Sequence, residues 1–316
     1  MTKTKEKHNR LVIAGGNGFL GEVLIRYLSS FFNEIVVLSR HRAGVDQRGI
    51  RYVRWDGIRV GPWTHIVDGA DLLINLAGKS VNCRYTKANK KEILESRLRS
   101  TLALGAAVIA ADHPPKCWIN ASSATIYEDS RERPQTEENG TIGDDFSMTV
   151  CKEWERTFAE IPVPATRKVV MRIGLVLGKD GGAFHELQKI VRKGLGGKSG
   201  NGQQRMSWIH EEDFATLVRV AFEEAWEGTF NITAPDHPTN AEFMAALREQ
   251  EQVSFGLPAP DWLLAFGALI MGTETELLLK SRFVYPERVL QKGYRFHYPR
   301  HAEALKTLVR HESALA

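Results

Sequence analysis

Apolar and polar positions change their spacing abruptly near the start of the chain. Leu11, Val12 and Ile13 form an unbroken apolar run, as expected of a strand covered on both faces. Glycines follow at positions 15, 16, 18 and 21. Apolar residues then return with a helical period at Val23, Leu24, Ile25 and Leu28. The pattern predicts strand, tight turn and helix. Short apolar runs recur at residues 35–38 (IVVL), 72–76 (LLINL), 117–120 (CWIN) and 169–173 (VVMRI). Long amphipathic stretches separate them, the clearest over residues 87–111, rich in Ala and Leu from 96 to 110. Such strands joined by helices predict an α/β fold, a doubly wound parallel sheet with helices on both faces. Residues 194–202 (GLGGKSGNG) predict a flexible loop and the exit toward a smaller lobe. From Leu257 onward the pattern is mainly helical, with Pro and Gly as breakers. The expected division is a nucleotide-binding domain over residues 8–235, with an excursion near 180–210, and a small C-terminal domain over 236–316.

Composition narrows the function classes. The chain has 316 residues, 43% of them hydrophobic, which is ample for a large core with an appended lobe. A net charge of +4, with no basic block interleaved with aromatics, argues against a nucleic-acid partner. Cys83, Cys117 and Cys151 form neither a disulfide framework nor a metal pattern, which suits a reducing compartment. The first ten residues are charged and lack the apolar core of a signal peptide. The longest apolar run, near Trp262 and Met271, is too short to span a bilayer. The expectation is a cytoplasmic protein with a small-molecule substrate, no membrane or nucleic-acid partner and no metal. The stretch with Trp262 and Leu263 reads as core or as a contact between two copies, which leaves room for a homodimer.

The glycines give the first chemistry. Gly15, Gly18 and Gly21 are spaced G-x-x-G-x-x-G between a strand and a helix. One glycine there permits positive φ, one lets the backbone approach a diphosphate and one allows close helix–sheet packing. The amides and positive dipole end of the new helix then hold the anion. The second strand ends in Ser39, Arg40, His41 and Arg42. An acidic residue at this point grips the 2′-hydroxyl of NAD, whereas an arginine accommodates a 2′-phosphate. NADP(H) is therefore favoured over NAD(H).

Further along, Trp55–Asp56, NLAG (75–78), ASSATIY (121–127), an ILESR segment (93–97), GDDF…VCKEWE (143–155) and GLGGKSGNGQQRMSWIHEED (194–213) complete a series. Together they resemble the extended short-chain dehydrogenase/reductase superfamily, in its epimerase-family, sugar-nucleotide-epimerase-like branch with a small C-terminal domain. The resemblance implies a Rossmann-type sheet. It implies that the backbone of Gly15, Gly16, Asn17, Gly18, Phe19, Leu20 and Gly21 cradles the diphosphate, with Ser39 and Arg40 at the adenosine ribose. By the same resemblance Asp56 and Gly57 meet the adenine, Leu76, Ala77 and Gly78 wall the cofactor, and Lys152 holds the nicotinamide ribose. For Asp56 a plain turn aspartate before Gly57 is the alternative.

The reaction end departs from the superfamily. Its members use Tyr-x-x-x-Lys, the lysine lowering the tyrosine pKa from its ordinary value near ~10. Here Lys152 is in place, but the position four before it is Met148, which cannot pass a proton. Ser123, in the stretch that polarises the substrate oxygen, is kept. Tyr127 and Ser147 are spare hydroxyls nearby; Tyr127 is the first candidate for a substitute acid, against a pocket-lining aromatic. Cys151 as nucleophile competes with a small residue facing the sheet. Lys189, Arg192, Lys193, Lys198 and Arg205 suggest substrate phosphates or a solvated basic face, and the resemblance puts His210 beside the substrate cleft. The expected site set is thus Ser123, Tyr127 and Lys152 for catalysis, with Lys189, Arg205 and His210 for substrate. The expected function is an NADP(H)-dependent oxidoreductase or epimerase-like enzyme on a small carbonyl or alcohol, a nucleotide sugar among them. The other reading is a cofactor-binding regulatory protein without turnover.

Overall fold

The computed structural model describes residues 7–260 and 280–309. The strands in chain order are β1 (His8–Ala14), β2 (Phe32–Ser39), β3 (Gly44–Val45), β4 (Arg51–Arg54), β5 (Leu72–Asn75), β6 (Cys117–Ser123), β7 (Arg167–Ile173), β8 (Leu175–Leu177), β9 (Trp208–His210) and β10 (Gly228–Ile232). Eight of them form one sheet in the order β10-β7-β6-β5-β1-β2-β4-β3, parallel except for the β3–β4 pair. The architecture is the doubly wound, Rossmann-like sheet that the apolar runs predicted. Those runs are unbroken because both faces are covered. Leu11 and Ile13 of β1 join Ile35, Val37, Leu72, Ile74, Ile119 and Met171 in one layer, packed against helices α1 (Phe19–Leu28) and α5 (Glu211–Glu223). Val12 and Ala14 join Val36, Leu38, Leu73 and Trp118 in the other, under α2 (Lys87–Ile109) and α3 (Phe146–Glu160). The period of two along each strand assigns alternate residues to the two layers.

The chain departs for its second lobe earlier than the glycine-rich stretch suggested. β8 turns out of the main sheet directly after β7 and pairs in parallel with β9. Residues 194–202 are a loop whose backbone is paired, not free. Gly197 and Gly200 donate to the carbonyls of Leu257 and Ala259, and Leu257 and Ala259 donate back to Gly194 and Lys198. Between β8 and β9 runs α4 (Gly182–Arg192), which shares an apolar core with α6 (Asn240–Gln250) and a C-terminal helix, His301–Leu308. Phe184, Val191, Phe243, Leu247, Leu305 and Leu308 build that core. The excursion and the C-terminal residues are therefore one packing unit. A short helix, α7 (Glu287–Gln291), precedes the last one, α8 (His301–Leu308). The apolar stretch with Trp262 and Leu263 lies outside the described residues.

Two features of the sheet create the site. From β1 the strand order runs to β2 on one side and to β5 on the other, so a crevice opens above the C-terminal ends of β1 and β5. The buried amide of Asn75 then shapes its rim. It donates to Thr101 (3.0 Å) and to Asn120 (2.8 Å) and accepts from the backbone N–H of Ala77 (3.1 Å). No described helix is long and apolar enough to cross a membrane.

Candidate functional site

The glycine turn separates into glycines that the chain itself needs and one that it does not. Gly15 has φ +77°, and a Cβ there would stand 2.8 Å from Cα of Ala77. A Cβ at Gly16 would meet Val37 and Ile13 at 3.0 and 3.1 Å, and one at Gly21 would overlap the Gly16 carbonyl. These three are excluded by the chain's own packing. Gly18 is different. Its φ −86° and ψ 173° suit any residue, and a Cβ there meets only the Gly15 carbonyl, at 3.9 Å. It is also the N-cap of α1 with no side-chain cap, so the first amides of the helix are available to a ligand. Nothing in the described chain requires glycine at this point.

The ends of β2, β4 and β5 complete this half of the cleft. Asn17 donates to the Ser39 hydroxyl, which also accepts from the backbone of His41 (3.3 Å) and Arg42 (3.1 Å). Ser39 is thus a buried clip that ties the glycine turn to the turn after β2. Arg42 lies over the Tyr52 ring at 4.4 Å, whereas Arg40 is left exposed at the crevice. Trp55 packs edge-on against Trp63 in the core. Asp56 closes an Asx turn: one oxygen accepts from Ile58 and Arg59, both at 2.8 Å, around Gly57 at φ +76°. Those N–H donors hold its carboxyl below the usual range. Leu76 donates to the Ala14 carbonyl (2.9 Å), which brings residues 76–78 against the glycine turn. Phe19 spans to the second lobe, where Gly178 and Gly181, before α4, and Gly182, its first residue, lie against the ring.

At the reaction end, α3 places Met148 and Lys152 one turn apart, on one face. Asp145 caps the helix by accepting from the Met148 backbone (3.0 Å) and from Ser147 (3.0 Å), and it pairs with Lys280. Ser147 is therefore part of a cap. Met148 is buried, its sulfur against Gly143. Lys152 is about one-third exposed and pairs with the solvated Asp144 at 2.5 Å. Ser123, at the end of β6, accepts from the backbone N–H (3.2 Å) and hydroxyl (3.0 Å) of Thr125.

Tyr127 is not where a substitute acid has to be. It is 1% exposed; its hydroxyl donates to Asn231 (3.0 Å) and accepts from Arg172 (2.6 Å), and burial raises its pKa. Arg172 in turn makes a two-pronged pair with Glu155 (2.9 and 2.8 Å), which also accepts from Ser122 (2.6 Å). Tyr127 is a strut between β7 and β10, with both hydroxyl functions used. Cys151 is buried against Thr125 (3.7 Å), and burial pushes its thiol up, away from the reactive thiolate.

The three substrate candidates are not brought together. Lys189 is on the outer face of α4, paired with Glu186 (2.9 Å). Arg205 donates to the His237 carbonyl (2.9 Å), lies over Phe283 (5.6 Å) and lines a surface cleft with Pro134, Pro235 and Tyr285. His210 is the N-cap of α5. Its Nδ1 accepts from the Glu212 backbone (3.1 Å), its Nε2 meets the Thr307 hydroxyl (3.2 Å), and its ring lies 3.8 Å from that of Tyr298. Burial pushes it down to about 4. It is a neutral structural cap, not a cleft residue. Beside it, the buried Asp213 accepts from Tyr294 (2.8 Å) and the backbone of His297 and Tyr298 (both 2.9 Å), which fastens the C-terminal segment to α5. One residue at the reaction end was missed by the sequence reading of single positions: Arg97, on the inner face of α2. Its signal was a charge inside an apolar stripe, between Ile93 and Leu104.

The model of the NAD dependent epimerase/dehydratase family matches residues 11–233, and that of a domain of unknown function (DUF1731) matches residues 259–308. The Bacillus subtilis (strain 168) epimerase family protein YfhF is 32% identical over 301 residues, which cover 95% of this chain and 97% of that protein. The crystal structure of human epimerase family protein SDR39U1 (isoform 2) with NADPH superposes with a TM-score of 0.83 at 31% identity, over 95% of this chain and 98% of that one. A nucleoside-diphosphate sugar epimerase from Corynebacterium glutamicum gives 0.75 at 26%, over 95% of this chain and 57% of its own.

Proposed function

The chain belongs to the NAD-dependent epimerase/dehydratase family, and we propose that it binds NADPH across the β1–β5 crevice as an oxidoreductase or epimerase-like enzyme. The observation that carries this is Gly18, a glycine that the chain's own geometry does not need. The first amides of α1 and the flat surface at Gly18 hold the diphosphate, and Arg40, exposed at the end of β2, pairs with the 2′-phosphate. Leu76, Ala77 and Gly78 wall the cofactor, and Lys152 holds the nicotinamide ribose. Asp56 has one oxygen left for the adenine beyond its turn. Bound there, the dinucleotide supplies hydride exchange with a substrate carbon.

Ser123 polarises the oxygen of a small carbonyl or alcohol substrate, and a nucleotide sugar falls in this class. Met148 neither gives nor takes a proton, and Tyr127 and Cys151 are both committed to packing, so none of the three serves as the proton donor. Met148 also favours a second reading, a cofactor-occupied regulatory protein without turnover.

Titrating NADPH and NADH into the purified protein tests the assignment, with Arg40→Ala alongside. NADPH should bind at least about tenfold more tightly, since a charge-assisted pair contributes roughly 1.5–3 kcal/mol, and Arg40→Ala should erase the difference. Equal affinities in the native protein would overturn it. NADPH oxidation over a panel of aldehydes, ketones and nucleotide sugars separates the two readings: tight NADPH with no turnover selects the regulatory one.

A further inference from the structure

One charge at the reaction end has no counterion among the described residues. Arg97 stands on the inward face of α2, and its side chain lies against Gly78, where a Cβ would come within 3.0 Å of Cζ. The guanidinium lies over the Trp154 ring at 5.2 Å. Nη1 donates to the carbonyls of Lys79 (3.0 Å) and Ile93 (2.9 Å). Among the described residues Nε and Nη2 donate to nothing, and no carboxylate pairs with the group. Arg97 keeps partial access to solvent, so these donors are not sealed. Its electrostatic neighbours are Cys151 and Tyr85. From Cys151 a short path leads through Thr125 to Ser123 (3.7 and 3.0 Å).

Carbonyl oxygens fix where a guanidinium sits without cancelling its charge, and a half-buried charge without a partner is unfavourable. Burial accordingly lowers its pKa, while the group stays protonated. Arg172, on the other side of α3, shows the ordinary solution, a two-pronged pair with Glu155. The open edge of Arg97, Nε with Nη2, has the geometry that takes both oxygens of one carboxylate. The cofactor's phosphates are provided for elsewhere, at the glycine turn and Arg40. We propose that Arg97 anchors a carboxylate of the substrate, so that the substrate class is a small 2-oxo or 2-hydroxy acid held beside Ser123. This rests on the dinucleotide reading above. Met148, buried with its sulfur against Gly143, then needs no polar role.

The test is calorimetric titration of the NADP-saturated protein with oxamate and malonate, carboxylates that undergo no hydride transfer, and with ethyl oxamate, an uncharged counterpart of oxamate. A carboxylate should bind at least about tenfold more tightly than the ester. Arg97→Gln should remove that preference, Arg97→Lys should restore part of it, and NADP affinity should change by less than about twofold in both. Failure of both acids to bind the native protein, or equal binding by Arg97→Gln, overturns the proposal. A parallel loss of NADP affinity with carboxylate binding intact assigns Arg97 to a cofactor phosphate, and also overturns it. If the protein binds no dinucleotide, the function proposed above fails, and the same titrations on the free protein still decide on Arg97. Should Arg97→Gln not fold, phenylglyoxal labelling of native Arg97, read by peptide mass spectrometry, replaces it. Protection by oxamate and not by ethyl oxamate supports the anchor, and equal labelling overturns it.

Discussion

The two ends of the cleft are built from different materials. At the β1–α1 turn the surface is backbone, with glycines, free amides and a serine clip, and its shape is over-determined by packing at Gly15, Gly16 and Gly21. At α3 the surface is side chains, and two arginines on its two sides have opposite settings. Arg172 is locked to Glu155 and Tyr127, and these contacts raise its pKa. Arg97 has carbonyls and an aromatic face but, among the described residues, no acid, and burial lowers its pKa. A backbone-made site tolerates exchange of side chains around it and keeps its ligand class. A side-chain-made site depends on single residues, such as Met148, four positions before Lys152.

Valine substitutions at two glycines test that contrast most severely. Gly18→Val should fold and lose NADPH by about 100-fold or more, because the branched side chain fills only ligand space. Gly21→Val should instead lose about 3 kcal/mol or more of stability, since its Cβ overlaps the Gly16 carbonyl. Chemical denaturation and NADPH titration of both variants check this. An unfolded Gly18→Val would mean that the chain needs that glycine after all.

The two arginines come next. Arg172→Met strands Glu155 and should cost about 3–5 kcal/mol, whereas Arg97→Met, which strands no acid among the described residues, should cost less than about 1 kcal/mol. Comparable losses in denaturation would erase the distinction drawn here.

His210 sharpens the difference between cap and cleft through pH. Its folded pKa, about 4, is below the 6.5 of a free imidazole, so the unfolded chain binds the extra proton first as pH falls. The stability it contributes is present above about 6.5 and is lost toward 4, with a span of roughly 3 kcal/mol. His210→Asn keeps a capping side chain without the titration. It should flatten stability against pH in that window relative to the native protein, while leaving the affinity for NADPH unchanged.

The smallest effect is expected at Tyr127. Tyr127→Phe leaves Arg172 and Asn231 each short of a partner and should cost about 1–3 kcal/mol. NADPH affinity, and any turnover, should change by less than about threefold, against the 10²-fold or greater loss expected of a general acid. A loss of that size without unfolding would return the tyrosine to the chemistry.

Local pattern carried much of the architecture. The apolar runs at β1, β2, β5, β6 and β7, the long α2, the glycine turn and the helix start at Glu211 are visible in the chain because each depends on neighbours in sequence: period, cap and turn. Met148, four residues before Lys152, is equally local. What the chain could not show is which hydroxyl or cation is spent on another group. Tyr127 and Asn231 are 104 residues apart, and Arg172 and Glu155 are 17 apart on different elements. His210 meets Thr307 from a distance of 97 residues. Whether a polar side chain is strut or reagent depends on partners that only the folded chain assembles, since burial satisfies some donors and leaves others open. Tertiary packing alone made Tyr127 and His210 structural, and it alone left Arg97 charged, fixed and, among the described residues, without an acid.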